Sequence, residues 1–143
     1  MIDWEWSTKR DLMDYADKCD AVESMREQIA EIDAELTGIG SALKGDTPVK
    51  GGGEVSDKWL NMLIKRAELE QSLAGTDARV RRIAKGMAGL TKDEQTLLDR
   101  AYIHHISHNS ICTLMNLESA QVYRLEKKAL RRLALRMYGD AVR

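Results

Sequence analysis

Residues 107–136 read SHNSICTLMNLESAQVYRLEKKALRRLALR. Ser107 is a hydroxyl residue suited to accept amide hydrogen bonds at a helix start, and the apolar Ile111, Cys112, Leu114 and Met115 follow it, so a short helix is predicted here. Asn116 tolerates the left-handed conformation that ends helices, which places a tight turn at that residue. Glu118 and Ser119 then open a longer helix, reaching about Met137, whose inward stripe is Val122, Leu125, Ala129 and Leu133 at spacings of three, four and four.

The outer side of that last helix differs in kind. At about 100° per residue, Arg124 and Arg131 point nearly opposite Val122, Lys127 and Lys128 flank them, and Gln121 and Tyr123 lie on the two sides near the start. Between Ser119 and Arg136 six bases stand against the single acid Glu126, more bias than solubility requires. A short capped helix, a turn, and a helix with polar residues first and basic residues after give the order that a major-groove reader needs. The candidate DNA-contacting residues are Ser119, Ala120, Gln121, Tyr123, Arg124, Lys127, Lys128 and Arg131. Gln121 suits adenine, Arg124 suits guanine or a phosphate, and Lys127, Lys128 and Arg131 suit phosphates as the helix leaves the groove.

Upstream, Thr91-Lys92-Asp93-Glu94 has the spacing of a capping box, which starts a helix at Lys92 that carries Leu97, Leu98, Ala101 and Tyr102 inward and ends near His104. Further back, Tyr15, Val22, Ile29, Leu36 and Leu43 recur every seven residues, with Met25, Ile32 and Ile39 three places after three of them. This predicts one long helix of coiled-coil type from about Ser7 to Leu43, its acids Asp17, Asp20, Glu23, Glu27, Glu31 and Glu35 on a solvated face. A Gly-rich loop is expected over 44–56, since Gly45, Pro48 and Gly51 to Gly53 do not favour a helix. From a cap at Ser56 or Asp57 a second seam runs through Trp59, Met62, Leu69, Leu73, Val80, Ile83, Met87 and Leu90, interrupted by Arg66 and Thr76. Gly86 and Gly89 mark a boundary. The expected fold is therefore all-α: a long antiparallel helical hairpin over 1–89, followed by a helix-turn-helix domain over 90–143.

The 143-residue chain has a formal net charge of −1, which conceals a division. Up to Asp57 there are six bases and fourteen acids; after it there are sixteen bases and nine acids. The basic charge belongs to the C-terminal part, which is the candidate for a polyanionic partner. Cys19 and Cys112 fall in different predicted helices without a C-x-x-C pattern, and both read as small buried apolar residues. No run approaches the length of a membrane span, and Met-Ile-Asp-Trp-Glu-Trp lacks the basic start of a signal peptide, so a cytoplasmic location is expected. His104, His105 and His108 gather near a helix junction with Cys112 one turn on. Without a further acid or thiol beside them they read as a polar corner between helices, not as a zinc site. Phosphate-loop, zinc-hydrolase and serine-elbow motifs do not occur, and neither an enzyme activity nor a cofactor is expected.

Residues 90–133 resemble region 4 of bacterial sigma factors, without gaps. The family's leucine, acidic helix start, aromatic and Leu-Ser are mirrored by Leu90, Asp93-Glu94, Tyr102 and Ile106-Ser107; its Ile-Ala core pair appears as Ile111-Cys112, and its turn glycine as Asn116. Its later valine and its Ala-Leu-basic-basic-Leu ending correspond to Val122 and Ala129-Leu130-Arg131-Arg132-Leu133. Two departures are His104-His105, where sigma factors have an acid and a glycine, and Ala120-Gln121, where they often have Gly-Thr. A closer resemblance is to small phage and prophage transcription regulators of the RinA and ArpU type, through Val122-Tyr123-Arg124-Leu125 followed by Ala129-Leu130, and through the loop with Pro48, the glycine run and Asp57.

The resemblance implies a phage or prophage regulator, by expectation an activator, that binds promoter DNA in the host nucleoid and touches RNA polymerase. The acidic N-terminal helices can pair two copies into a homodimer, dock on polymerase or brace the domain, and Trp4 and Trp6 can anchor a partner or pack against the hairpin. Two alternatives stand beside this reading. One is a small terminase-type DNA-packaging protein, and the other a polymerase-binding module that never meets DNA.

Overall fold

A computed structural model describes residues 2–43 and 52–142, with the backbone alone for 40–43 and 52–55. Among the described residues there are six α-helices and no strand: α1 (Trp4–Met13), α2 (Tyr15–Leu43), α3 (Gly52–Ala88), α4 (Lys92–Leu98), α5 (His108–Met115) and α6 (Ser119–Tyr138). No helix among them is long and apolar enough to cross a membrane. The chain forms two compact units, one made of residues up to Cys19 and from Ala78 onward, the other of Asp20–Asp77.

Three local expectations change. The helix predicted from Ser7 begins at Trp4, because Asp3 Oδ1 accepts from the Trp6 amide at 3.0 Å and caps it. It is also interrupted at Asp14, although the Asp14 amide still reaches the Arg10 carbonyl at 3.0 Å. Second, α3 starts at Gly52, ahead of both expected caps, so the Gly-rich loop does not extend to residue 56; residues 44–51 lie outside the described residues. Glycine disfavours a helix by only about 1 kcal/mol, which context overrides. Third, the helix from Lys92 changes pitch, and Asp99–Ile103 form a π-helical turn in which the His104 amide donates to the Asp99 carbonyl at 3.0 Å.

The second unit is built from heptads. On α2 the buried residues are Val22, Met25, Ile32 and Leu36, with Ile29 and Ile39 half-buried. On α3, the half-buried Trp59, Met62, Arg66, Leu69, Leu73 and Thr76 are spaced alternately three and four. Arg66, which interrupts the apolar seam in sequence, pairs with Asp33 of α2 through Nε at 2.5 Å and Nη2 at 3.2 Å, and with Glu70 one turn along α3. Arg26 meets Asp77 at 3.5 Å. The Arg66 bonds hold the Asp33 carboxyl below its usual range and raise Arg66 itself.

The other unit has the fuller core. Leu12, Ile83, Leu90, Leu98, Tyr102, Ala129, Leu130 and Leu133 form one buried cluster; Leu97, Ile111 and Val122 form a smaller one beneath α5 and α6. α6 packs against α1, α4 and α5. This accounts for Leu130 and Ala134, which are buried although they fall outside the predicted stripe: α1 lays Thr8 and Leu12, both fully buried, within this unit. The close crossing of α3 and α6 needs Gly86, where a Cβ would stand 2.7 Å from Leu133 Cδ1 and 3.3 Å from Met137 Cγ.

Candidate functional site

The region from Ser107 to Arg131 is positioned by caps that the sequence announces. Ser107 Oγ accepts from the Ser110 amide at 3.3 Å and starts α5. Asn116 closes α5 at φ 55° and ψ 47°, with the Leu117 amide on the Cys112 carbonyl at 3.1 Å. Upstream, the capping box at Thr91 and Glu94 is formed in both directions, each bond 3.2 Å. The inward stripe of α6 also stands as predicted, with Val122, Ala129 and Leu133 buried and Leu125 half-buried. With this stripe fixed, the helix has one orientation and its opposite side faces solvent.

All eight candidate residues are exposed on α6. Ser119, Tyr123, Lys127 and Arg131 form one line at four-residue spacing; Ala120, Arg124 and Lys128 form the next, with Gln121 beyond them. At the helix start the side chains are ordered by the turn. Ser119 Oγ lies 2.8 Å from His108 Nε2, and the His108 ring stacks on Tyr123 with centroids 3.9 Å apart and planes at 17°. Cys112 Sγ lies 3.6 Å from the same His108 nitrogen. Gln121 Oε1 accepts from the Glu118 amide at 3.0 Å, and Arg124 Nε donates to the Ala120 carbonyl at 3.3 Å. Gln121 and Arg124, read as base-contacting side chains, therefore hold the helix start in this structure.

The basic count of α6 divides by role. Arg132 Nη1 binds the buried Glu94 carboxylate at 3.0 Å, and Arg136 Nε donates to the Gly86 carbonyl at 3.0 Å, closing the end of α3. These two cations hold the unit together. Lys127 and Arg131 line a cavity of about 230 Å³ whose other walls include Asp3, Trp4 and Glu5 at the start of α1. Lys128 and Arg124 lie on the neighbouring line. Trp4 packs on Tyr138, ring centroids 4.5 Å apart, while Trp6 is 57% exposed with the Arg10 guanidinium 5.2 Å above its ring.

Sequence reasoning placed His108 in a polar corner between helices, and its bond to Ser119 and its stacking on Tyr123 join α5 to the exposed side of α6. The readable signal was its place one turn before Cys112, across the predicted turn. Two phenols are fixed by carboxylates. Burial, reinforced by the bond to Glu126, lifts Tyr102 far above the ordinary phenol range; burial and the bond to Asp11 push Tyr138 up to about 12. His104 Nε2 pairs with Asp99 at 3.3 Å, and among the described residues no group of three or more His, Cys, Asp or Glu side chains comes together. Cys19 and Cys112 are free thiols and only half-buried.

A family match runs over residues 39–134, from the end of α2 through α3, α4 and α5 into α6. The chain belongs to the family described as Protein of unknown function (DUF1492). The matched stretch contains all eight candidate residues, together with His108, Glu94 and Arg132. Helix α1, with Thr8, Leu12 and the acids of the cavity, lies outside it. No curated protein and no solved structure matches the chain.

Proposed function

We propose that this chain is a DNA-binding transcription regulator in which α5, the turn at Asn116 and α6 form a helix-turn-helix, and α2 and α3 an antiparallel hairpin. The observation that carries the reading is the exposed double line of Ser119, Tyr123, Lys127 and Arg131 beside Ala120, Arg124 and Lys128, standing on a helix whose opposite stripe is buried. The groove admits one helix, and a reader needs that side free of its own domain.

A second observation supports the sigma region 4 register. Among the described residues, His105 and Asn116 are the two non-glycine residues with positive φ, both 55°. They occupy the two positions at which the sigma pattern has glycine, the residue that adopts this conformation without strain. The likeness to phage regulators of the RinA and ArpU type makes promoter DNA the proposed target and RNA polymerase a proposed partner.

The opposite order of the two ion pairs supports the hairpin: Arg26 with Asp77 and Asp33 with Arg66 match rising numbers on α2 to falling numbers on α3. The exposed Trp6 under Arg10 favours a second reading, in which α1 binds a protein and the chain never meets DNA.

Duplex binding as a function of salt separates the two. The regulator loses affinity steeply as salt rises, with a log–log slope of about −0.9 for each phosphate neutralised. Arg124→Ala reduces binding to selected fragments of the host prophage by roughly ten- to hundredfold and relaxes sequence preference, whereas Lys128→Ala weakens all duplexes alike and lowers the slope by about one. Absence of salt-dependent duplex binding overturns the proposal in favour of the protein-binding reading.

A further inference from the structure

Helix α1 lies alongside one edge of the exposed side of α6. Leu12 of α1 and Leu130 of α6 share one buried cluster, and Ala134 is buried as well. At about 100° per residue, Leu130 and Ala134 fall next to Lys127 and Arg131 on the helix surface. The cavity of about 230 Å³ at this edge accordingly has Lys127 and Arg131 on one wall and Asp3 and Glu5 on the other. Residues 2–8 carry these two acids and no base.

The acids are fixed in place, not carried on a free arm. Asp3 Oδ1 caps α1 through the Trp6 amide at 3.0 Å. Trp4 packs on Tyr138, and its carbonyl accepts from Oγ1 of the fully buried Thr8 at 2.7 Å. Glu5 is half-buried and its charge is felt at the Tyr102 phenol, so its carboxylate lies on the inner side of α1. A helix start favours acids wherever it stands; what is particular here is that this start is set against two cations of another helix. Among the described residues no acid bonds to Lys127 or Arg131, and both cations feel Asp3 and Glu5 across the cavity.

Resting on the reading of α6 as a DNA-contacting helix, we infer that the first turn of α1 is an electrostatic brake on it: Asp3 and Glu5 oppose the phosphate backbone that Lys127 and Arg131 attract. A phosphate within reach of either cation comes near both carboxylates, and like charges set side by side at an interface cost affinity. The brake acts on phosphates and not on base edges, so it lowers binding to every duplex alike. Salt screens it.

Duplex binding by the full chain carrying Asp3→Asn and Glu5→Gln tests this, because Asn still caps α1 and a gain in affinity does not arise from loss of fold. At about 50 mM salt the double variant should bind a selected fragment and an unrelated duplex each roughly tenfold tighter than the wild type. The gain should shrink to less than about twofold at about 0.5 M salt. Glu27→Gln with Glu31→Gln, on the exposed side of α2, removes the same amount of charge and should change binding by less than about twofold. Adding Lys127→Ala and Arg131→Ala should abolish most of the gain. If the wild type binds duplex in a salt-dependent manner, an unchanged affinity in the double variant, an equal gain from the α2 pair, or a gain confined to the selected fragment overturns the inference and leaves the DNA reading standing. Absence of duplex binding by the wild type and the double variant alike overturns both.

Discussion

The two compact units of this chain are made from the same kinds of residue and bury them to different depths. In the unit that holds α6, Leu12, Leu97, Leu98, Val122, Ala129 and Leu133 are fully buried; in Asp20–Asp77 the most buried residues, Val22, Ile32, Met25 and Leu36, keep 6 to 9% of their surface. A layer of two helices has only one seam, and each seam residue retains an edge to water. Several short helices arranged around α6 close that edge. The first unit can therefore hold a helix in one fixed orientation. The charges follow the same division: Asp20–Asp77 contains twelve acids and six bases, and the remainder sixteen bases and eleven acids.

The largest expected effect tests the difference in depth. Leu133→Ala removes a fully buried side chain and is expected to cost about 3–4 kcal/mol, whereas Ile32→Ala in the two-helix unit should cost about 2; urea denaturation of both variants measures it. Equal costs would break the comparison.

A smaller effect, of opposite sign in the two units, comes from two glycines of the same helix. Gly86→Ala drives a Cβ into Leu133 and Met137 and should destabilise by about 1–2 kcal/mol after the gain in helix propensity. Gly75→Ala meets nothing within 4 Å and should stabilise by about 1 kcal/mol. Thermal midpoints moving in the same direction would show that the crossing at Gly86 is looser than described.

The smallest effects are in pH. Asp33 titrates below its unfolded value, so its contribution is present above about pH 3.9 and is lost as pH falls through the lowered value. Tyr138 titrates above its unfolded value, so its contribution is complete below pH 10.0 and is lost as pH rises towards about 12, with Tyr102 acting in the same sense. Acid should loosen the two-helix unit and alkali the other. Denaturation midpoints at pH 9 and pH 11, compared between the wild type and Tyr138→Phe, check the alkaline limb, and Asp33→Asn should flatten the acid one.

Much of this fold could be read along the chain. The capping box at Thr91, the cap at Ser107, the left-handed Asn116 and the stripe of α6 lie where the residues put them, and so do the heptads of α2 and α3. The candidate residues were legible as an exposed set for the same reason, since a helix with a known inner stripe has a known outer one. Their present partners were not. Gln121 and Arg124 bond to the start of their own helix, a choice made among side-chain rotamers that spacing does not rank.

What the amino-acid sequence determined by itself is the set of features that depend on neighbours three, four or seven residues away: where helices start and stop and which side is apolar. Tertiary structure alone decided which cations of α6 bond to other helices, because Arg132 finds Glu94 at a separation of 38 residues and Arg136 finds Gly86 at 50. It also decided that α1 belongs with α6, where Tyr138 meets Asp11 across 127 residues. Local spacing carries no information about such pairings, since they arise only when distant segments compete for the same buried surface.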